Sequence, residues 1–130
     1  MPDPLPSPDD STPPPPPVTT GHGVMGQYQL GQACVLVASG DLDANTTPAL
    51  RQALDDAARA ASVLVLDTRH VTFADSSFLT VLARAHQAGD FRVVGLPPSV
   101  LTILKITGLD MVLRRYDTVA AAVAVPPPRR

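Results

Sequence analysis

From residue 24 onward the chain keeps one rhythm: a short apolar run, a glycine or polar stop, then a segment with helical spacing. The runs are VMGQYQL (24–30), ACVLVASG (33–40), VLVLD (63–67), FRVVGL (91–96) and a short last one within MVLRRY (111–116). Only Gly31 and Gln32 separate the first two, which predicts a hairpin. Helix-length segments separate the others. Connections of that kind join parallel strands and lay their helices on the sheet. The order β β α β α β α β α predicts an α/β fold. Its small mixed β-sheet starts with a hairpin and continues by parallel crossovers, with about four helices packed against it.

The helical segments carry their own boundaries. In GDLDANTTPALRQALDDAARAAS, Asp43 to Thr47 supply caps and Pro48 fits a first turn, where its missing N–H costs nothing. Leu50, Leu54, Ala57, Ala58 and Ala61 then recur at helical spacing and predict a helix over 47–61. VLVLD is apolar on both faces, as a covered central strand should be. TRHVTFAD follows as a loop anchored by Val71 and Phe73. Leu42 and Phe73 are both expected in the core. Residues 76–88 read as a second helix stopped by Gly89. Pro97 and Pro98 open a third, carrying Val100, Leu101, Leu104 and Ile106, which Gly108 ends. Asp117 or Thr118 caps a final helix in DTVAAAVAV.

Nine of the 15 prolines fall within the first 17 residues, a stretch with almost nothing to bury. We therefore divide the chain into a disordered Pro-rich tail (1–23), one domain (24–125) and a short C-terminal tail (126–130). The net charge of −2 comes with no basic face interleaved with aromatics, which argues against nucleic acid. No apolar run approaches the roughly 20 residues that cross a bilayer, so no membrane insertion is expected. No basic segment leads into an apolar one at the N-terminus. A single cysteine, Cys34, forms no internal disulfide and reads as a small core residue. These features fit a cytoplasmic protein, and no metal or cofactor is expected.

The stretch VTFADSSFLTVLARA (71–85) carries the chemistry. As local structure it is a cap: Asp75 accepts from a free N–H of the first helical turn. Its position adds something. A hydroxyl at a helix start lies near unpaired N–H groups and the positive end of the dipole, so the fold tolerates a phosphate there. A second stretch, SGDLDANTTPALRQAL, places Gly40 at a tight turn with Asp41 and Asp43 bracketing Leu42. In an alternating fold the ends of neighbouring strands share one rim, so the two stretches could line one surface.

GDLDANTTPAL resembles the G-E/D-L-D-x-x-T-x-x-x-L signature of STAS domains, the anti-sigma factor antagonists. VLVLDTRHVTFADSSFL resembles that family's strand, loop and D-S-S/T-G-L phosphorylation motif. FRVVGLPPSVLTILKITGLDMVL is similar to its closing strand and helix, and the three stand in register over residues 26–125. The resemblance implies a single STAS-type domain that binds a partner and catalyses nothing. The implied partner is an anti-sigma factor that is also a serine kinase, and ATP and magnesium belong to that kinase. Docking releases the sigma factor, phosphorylation ends docking, and a PP2C-type phosphatase resets the system. Carried to this sequence, the acceptor is Ser76, with Ser77 second to it. The partner-binding residues are Asp41, Asp43, Asp75, Ser76, Ser77 and Phe78.

Phe78 departs from the family glycine. Either its ring turns inward to join Leu82, the orientation we favour, or it stands out as an anchor for a different partner. Two other functions compete with this one. One is a hydrolase with Ser76 or Ser77 as nucleophile and His70 or His86 as base, but no G-x-S-x-G elbow accompanies the serines. The other is a STAS scaffold or accessory subunit, as in stressosome, transporter or lipid-trafficking systems, that binds without being phosphorylated.

Overall fold

A computed structural model describes residues 24–126. The tail assigned to residues 1–23 lies outside them, as does the C-terminal tail beyond Pro126. The elements run β1 (Val24–Leu30), β2 (Ala33–Leu42), α1 (Thr47–Ala60), β3 (Val63–Ala74), α2 (Ser76–Ala88), β4 (Phe91–Val94), α3 (Pro98–Thr107), a 3₁₀ turn (Leu109–Met111), β5 (Arg114–Tyr116) and α4 (Val119–Ala124). This is the element order read from the sequence. The last strand is shorter than MVLRRY, because Leu109–Met111 closes into the 3₁₀ turn instead. No described helix is long and apolar enough to cross a membrane.

The five strands lie in chain order, β1-β2-β3-β4-β5. The first pair is antiparallel and the other three are parallel. Each crossover steps to the next strand in the same direction. Right-handed crossovers of that kind put their helices on one face. The larger core forms there, with Leu36, Leu42, Leu50, Leu54, Leu66, Phe78, Leu82 and Leu104. The other face is left to α4, which follows the last strand. There Val119 and Ala122 close over Ala33, Val35, Val63, Val65 and Val94.

Alternation along β4 sends Phe91 and Val93 to the helical face and Val94 to the face beneath α4. Arg92 is fully buried and bonds to the α4 end of the chain. It forms a two-point ion pair with Asp90 (Nε to Oδ1 3.0 Å, Nη2 to Oδ2 2.9 Å). It also donates to the carbonyls of Ala122 (2.6 Å) and Val125. A buried cation is tolerated only when its donors are satisfied in this way. Here the bonds also hold the end of α4 to the sheet.

Two expectations change. TRHVTFA is not a loop. It is the second half of β3, paired with β2 as Ser39↔His70, Gly40↔Val71, Asp41↔Phe73 and Leu42↔Ala74. The polar Thr-Arg-His interruption hid the strand. Gly40 likewise makes no tight turn. With φ +73° it sits at an irregularity that lets β2 run on to Leu42. β4 stops at Val94, opposite Asp67, so β2 and β3 extend past it as a two-stranded arm.

Phe73, expected in the core, is 53 % exposed on that arm, whereas Leu42 is fully buried as expected. Ile106 is 79 % exposed at the end of α3 and Ala58 faces solvent on α1, although both fit the apolar spacing. Cys34 is buried, and burial pushes its thiol upward despite a hydrogen bond with Gln27.

Candidate functional site

The arm carries two helix starts on one rim. Leu42 and Ala74 end their strands as a pair, and the N–H of Asp75 donates to the carbonyl of Leu42 across 3.1 Å. That bond ties the loop before α1 to the first residue before α2.

Asp75 is the N-cap of α2, and its Oδ1 accepts from the N–H of Ser77 at 2.8 Å. The Asp75 carbonyl accepts from the N–H of Phe78 at 3.1 Å, closing the first turn. Ser76 is thus fixed as the first helical residue and is exposed, while Ser77 is half-buried. Phe78 points the other way and is fully buried in the larger core. Its ring takes the inward orientation, beside Leu82 in the same core.

On the α1 side the N-cap is Thr46, whose side chain makes no capping bond, and Asp43 folds the turn that leads into the helix. Asp43 Oδ1 accepts from the N–H groups of Asn45 (2.9 Å) and Thr46 (3.2 Å). Thr46 Oγ1 donates to the Asp41 carbonyl at 2.8 Å and accepts from the Asp43 N–H at 2.9 Å. Asp41 is exposed, and its Oδ1 accepts from Thr72 Oγ1 at 2.9 Å, one strand across. Asp41, Asp43, Asp75, Ser76 and Ser77 therefore gather on one rim, and Phe78 does not share their surface.

Sequence reasoning missed one residue of this rim. Phe73 pairs with Asp41 and exposes half its ring between Thr72 and the α2 start. Two register irregularities break the alternation of β3, so its exposed residues fall in adjacent pairs, Arg69–His70 and Thr72–Phe73, and an apolar ring in the second pair gives no sign of this in the sequence.

The rim presents hydroxyls, carboxylates and one aromatic ring, and neither His70 nor His86 stands beside its serines. His86 lies ten residues along α2 from Ser76, about 15 Å at the rise of a helix. His70 is six residues back along the strand arm, roughly 20 Å at extended spacing. Among the described residues no cluster of His, Cys, Asp or Glu could hold a metal ion. What the rim can do is meet another surface.

The family model described as "Mlab, STAS domain" matches residues 25–115. A crystal structure of an anti-sigma factor antagonist from Mycobacterium paratuberculosis is 30 % identical, with a TM-score of 0.69, over 77 % of this chain and 89 % of that one. A putative anti-sigma factor antagonist from Thermotoga maritima is 20 % identical, TM-score 0.69, over 75 % and 89 %. The Bacillus cell fate determinant SpoIIAA in its phosphorylated form is 16 % identical, TM-score 0.60, over 75 % and 94 %. The last two likenesses are of fold. No curated protein sequence matches this chain.

Proposed function

Because the chain belongs to the STAS domain family, we propose that it is an anti-sigma factor antagonist switched by phosphorylation of Ser76. In this reading residues 24–125 are the working domain and act in the cytoplasm. The unphosphorylated rim docks on an anti-sigma factor that is also a serine kinase, and the sigma factor is released. A PP2C-type phosphatase restores the docking form. The observation that carries the reading is the geometry of Ser76: an exposed hydroxyl, fixed by the Asp75 cap at a helix start, on the rim shared with Asp41 and Asp43.

The switch needs no refolding. A phosphate brings about −1.5 to −2 charge, and the start of α2 tolerates it because the helix dipole and free N–H groups lie there. The partner does not tolerate it. Burying an unpaired charge in a contact costs several kcal/mol, and a loss of ~3 kcal/mol weakens binding more than a hundredfold. Phe73 supplies an apolar anchor beside the switch. Phe78 leaves that surface unobstructed because its ring packs inward.

Incubation with the anti-sigma factor kinases of the source cell and ATP, read by mass spectrometry, should add one phosphate at Ser76. Phosphate on Ser77 alone would overturn the assignment. The matched family model carries a description other than that of an antagonist, which favours a second reading: an accessory STAS subunit that binds without phosphorylation. Ser76→Asp separates the two. It abolishes partner binding by a switch and leaves binding by an accessory subunit nearly intact.

A further inference from the structure

A groove of about 520 Å³ runs between α1 and α2 and opens at the rim, with Thr47, Pro48 and Ser77 at its mouth. Arg51 and Arg84 line it, and none of its lining residues is acidic. Arg51 has no ion pair among the described residues. Arg84 has a loose one, 3.6 Å from Asp55. Two guanidinium groups therefore line a concave surface beside the switch, and among the described residues their one ion pair is the loose contact of Arg84 with Asp55.

The chain itself carries the complementary charge. Residues 1–23 contain Asp3, Asp9 and Asp10 and no lysine or arginine. Their exit point is fixed by the sheet. β1 is antiparallel to β2, and Val24 pairs with Ala38, so Val24 stands at the end of the sheet that carries the arm. Thirteen residues separate Asp10 from Val24, including the run Pro13–Pro17. At roughly 3.1 Å per residue in an extended proline-rich segment they span about 40 Å. A domain of ~100 residues is little wider than that. That length is enough to span from Val24 to the groove.

We propose that the Asp9–Asp10 segment docks in cis in the α1–α2 groove, pairing with Arg51 and Arg84 and covering the Ser77 end of the rim. Each exposed pair is weak alone. Tethering raises the effective concentration to the millimolar range, which lets weak pairs populate a contact. The contact is electrostatic and salt breaks it. Its functional consequence rests on the antagonist reading: a partner approaching Ser76 must first displace this segment, and charge on the segment sets how easily.

The test uses the whole isotope-labelled chain and no partner, so its failure is separate from failure of the antagonist reading. Backbone amide resonances of Arg51, Ser77, Thr80 and Arg84 should differ between the native chain and Asp9→Asn/Asp10→Asn. Salt at about 0.5 M should collapse that difference. Resonances of Ala88, Asp90 and Arg114, at the far end of the helices, should coincide. Arg51→Gln/Arg84→Gln, at two exposed positions, should make the remaining groove resonances indifferent to the aspartate substitutions. Coincident groove resonances at low salt would overturn the proposal. So would differences that vanish on dilution, which would place the segment on a second copy. Differences confined to the residues before Arg129 and Arg130 would also overturn it, by placing the segment at the other tail.

Discussion

The N–H of Asp75 donates to the carbonyl of Leu42, so one 3.1 Å bond joins the start of α2 to the end of β2. The two residues differ in what they contribute. Leu42 is fully buried and Asp75 caps a helix from a half-buried position. Leu42→Ala should cost ~2–5 kcal/mol as a core truncation, and Asp75→Ala about 1 kcal/mol as a lost cap. Urea denaturation of both variants measures the difference. Equal costs would mean that the rim is held by something other than this division of labour.

Phe73 and Phe78 lie five residues apart and should respond in opposite ways. Phe78→Ala empties a fully buried site and should cost ~3–5 kcal/mol. Phe73→Ala removes a half-exposed ring and should stay within about 1 kcal/mol, while partner binding weakens at least tenfold. Calorimetric melting with a binding titration reads both. Unchanged affinity in Phe73→Ala would remove Phe73 from the docking face.

Arg92 holds the C-terminal end of the described chain through Asp90 and the carbonyls of α4. Arg92→Leu removes the guanidinium and leaves Asp90 to Arg114 alone, 3.2 Å away. Breaking a buried pair from one side should cost ~3–5 kcal/mol. Amide exchange at Val119–Ala124 should accelerate before that of β3. Uniform acceleration throughout the sheet would show that α4 does not open separately.

The Cys34 thiol is raised by burial, so the native state keeps a proton that the unfolded chain releases near pH 8.5. With the folded value above the unfolded one, its contribution is complete below the unfolded value and is lost as pH rises through the folded one. A thiol reagent at pH 8 should label the native protein far more slowly than the urea-unfolded chain. Equal rates would place Cys34 at the surface.

The order of elements, the hairpin, the helix caps and the position of Ser76 were legible because each rests on local signals: apolar period, Pro48, Asp75, Gly108. Three features were not. The arm formed by the ends of β2 and β3 carries Thr68, Arg69 and His70, polar residues that read as a loop until paired strands account for them. Phe73 and Ile106 are apolar by type, and only the register irregularity and the end of α3 turn them outward. Arg92 gives no sign of burial inside FRVVGL. Its burial depends on α4, which lies 27 residues further along the chain. The strand-end argument made one thing legible, that Asp41, Asp43, Asp75, Ser76 and Ser77 lie on a common rim, while Phe78 belongs to the interior and Phe73 stands exposed beside them.

The strands lie side by side in the order in which they are synthesised. A ribosome delivering this chain can therefore lay down its sheet one neighbour at a time, with no strand waiting for a later one to be wedged in beside it. Loss of everything from Arg114 onward during synthesis would strip one edge and the cover of one face, and the pairing of β2 with β3, on which Ser76 is mounted, would already be complete.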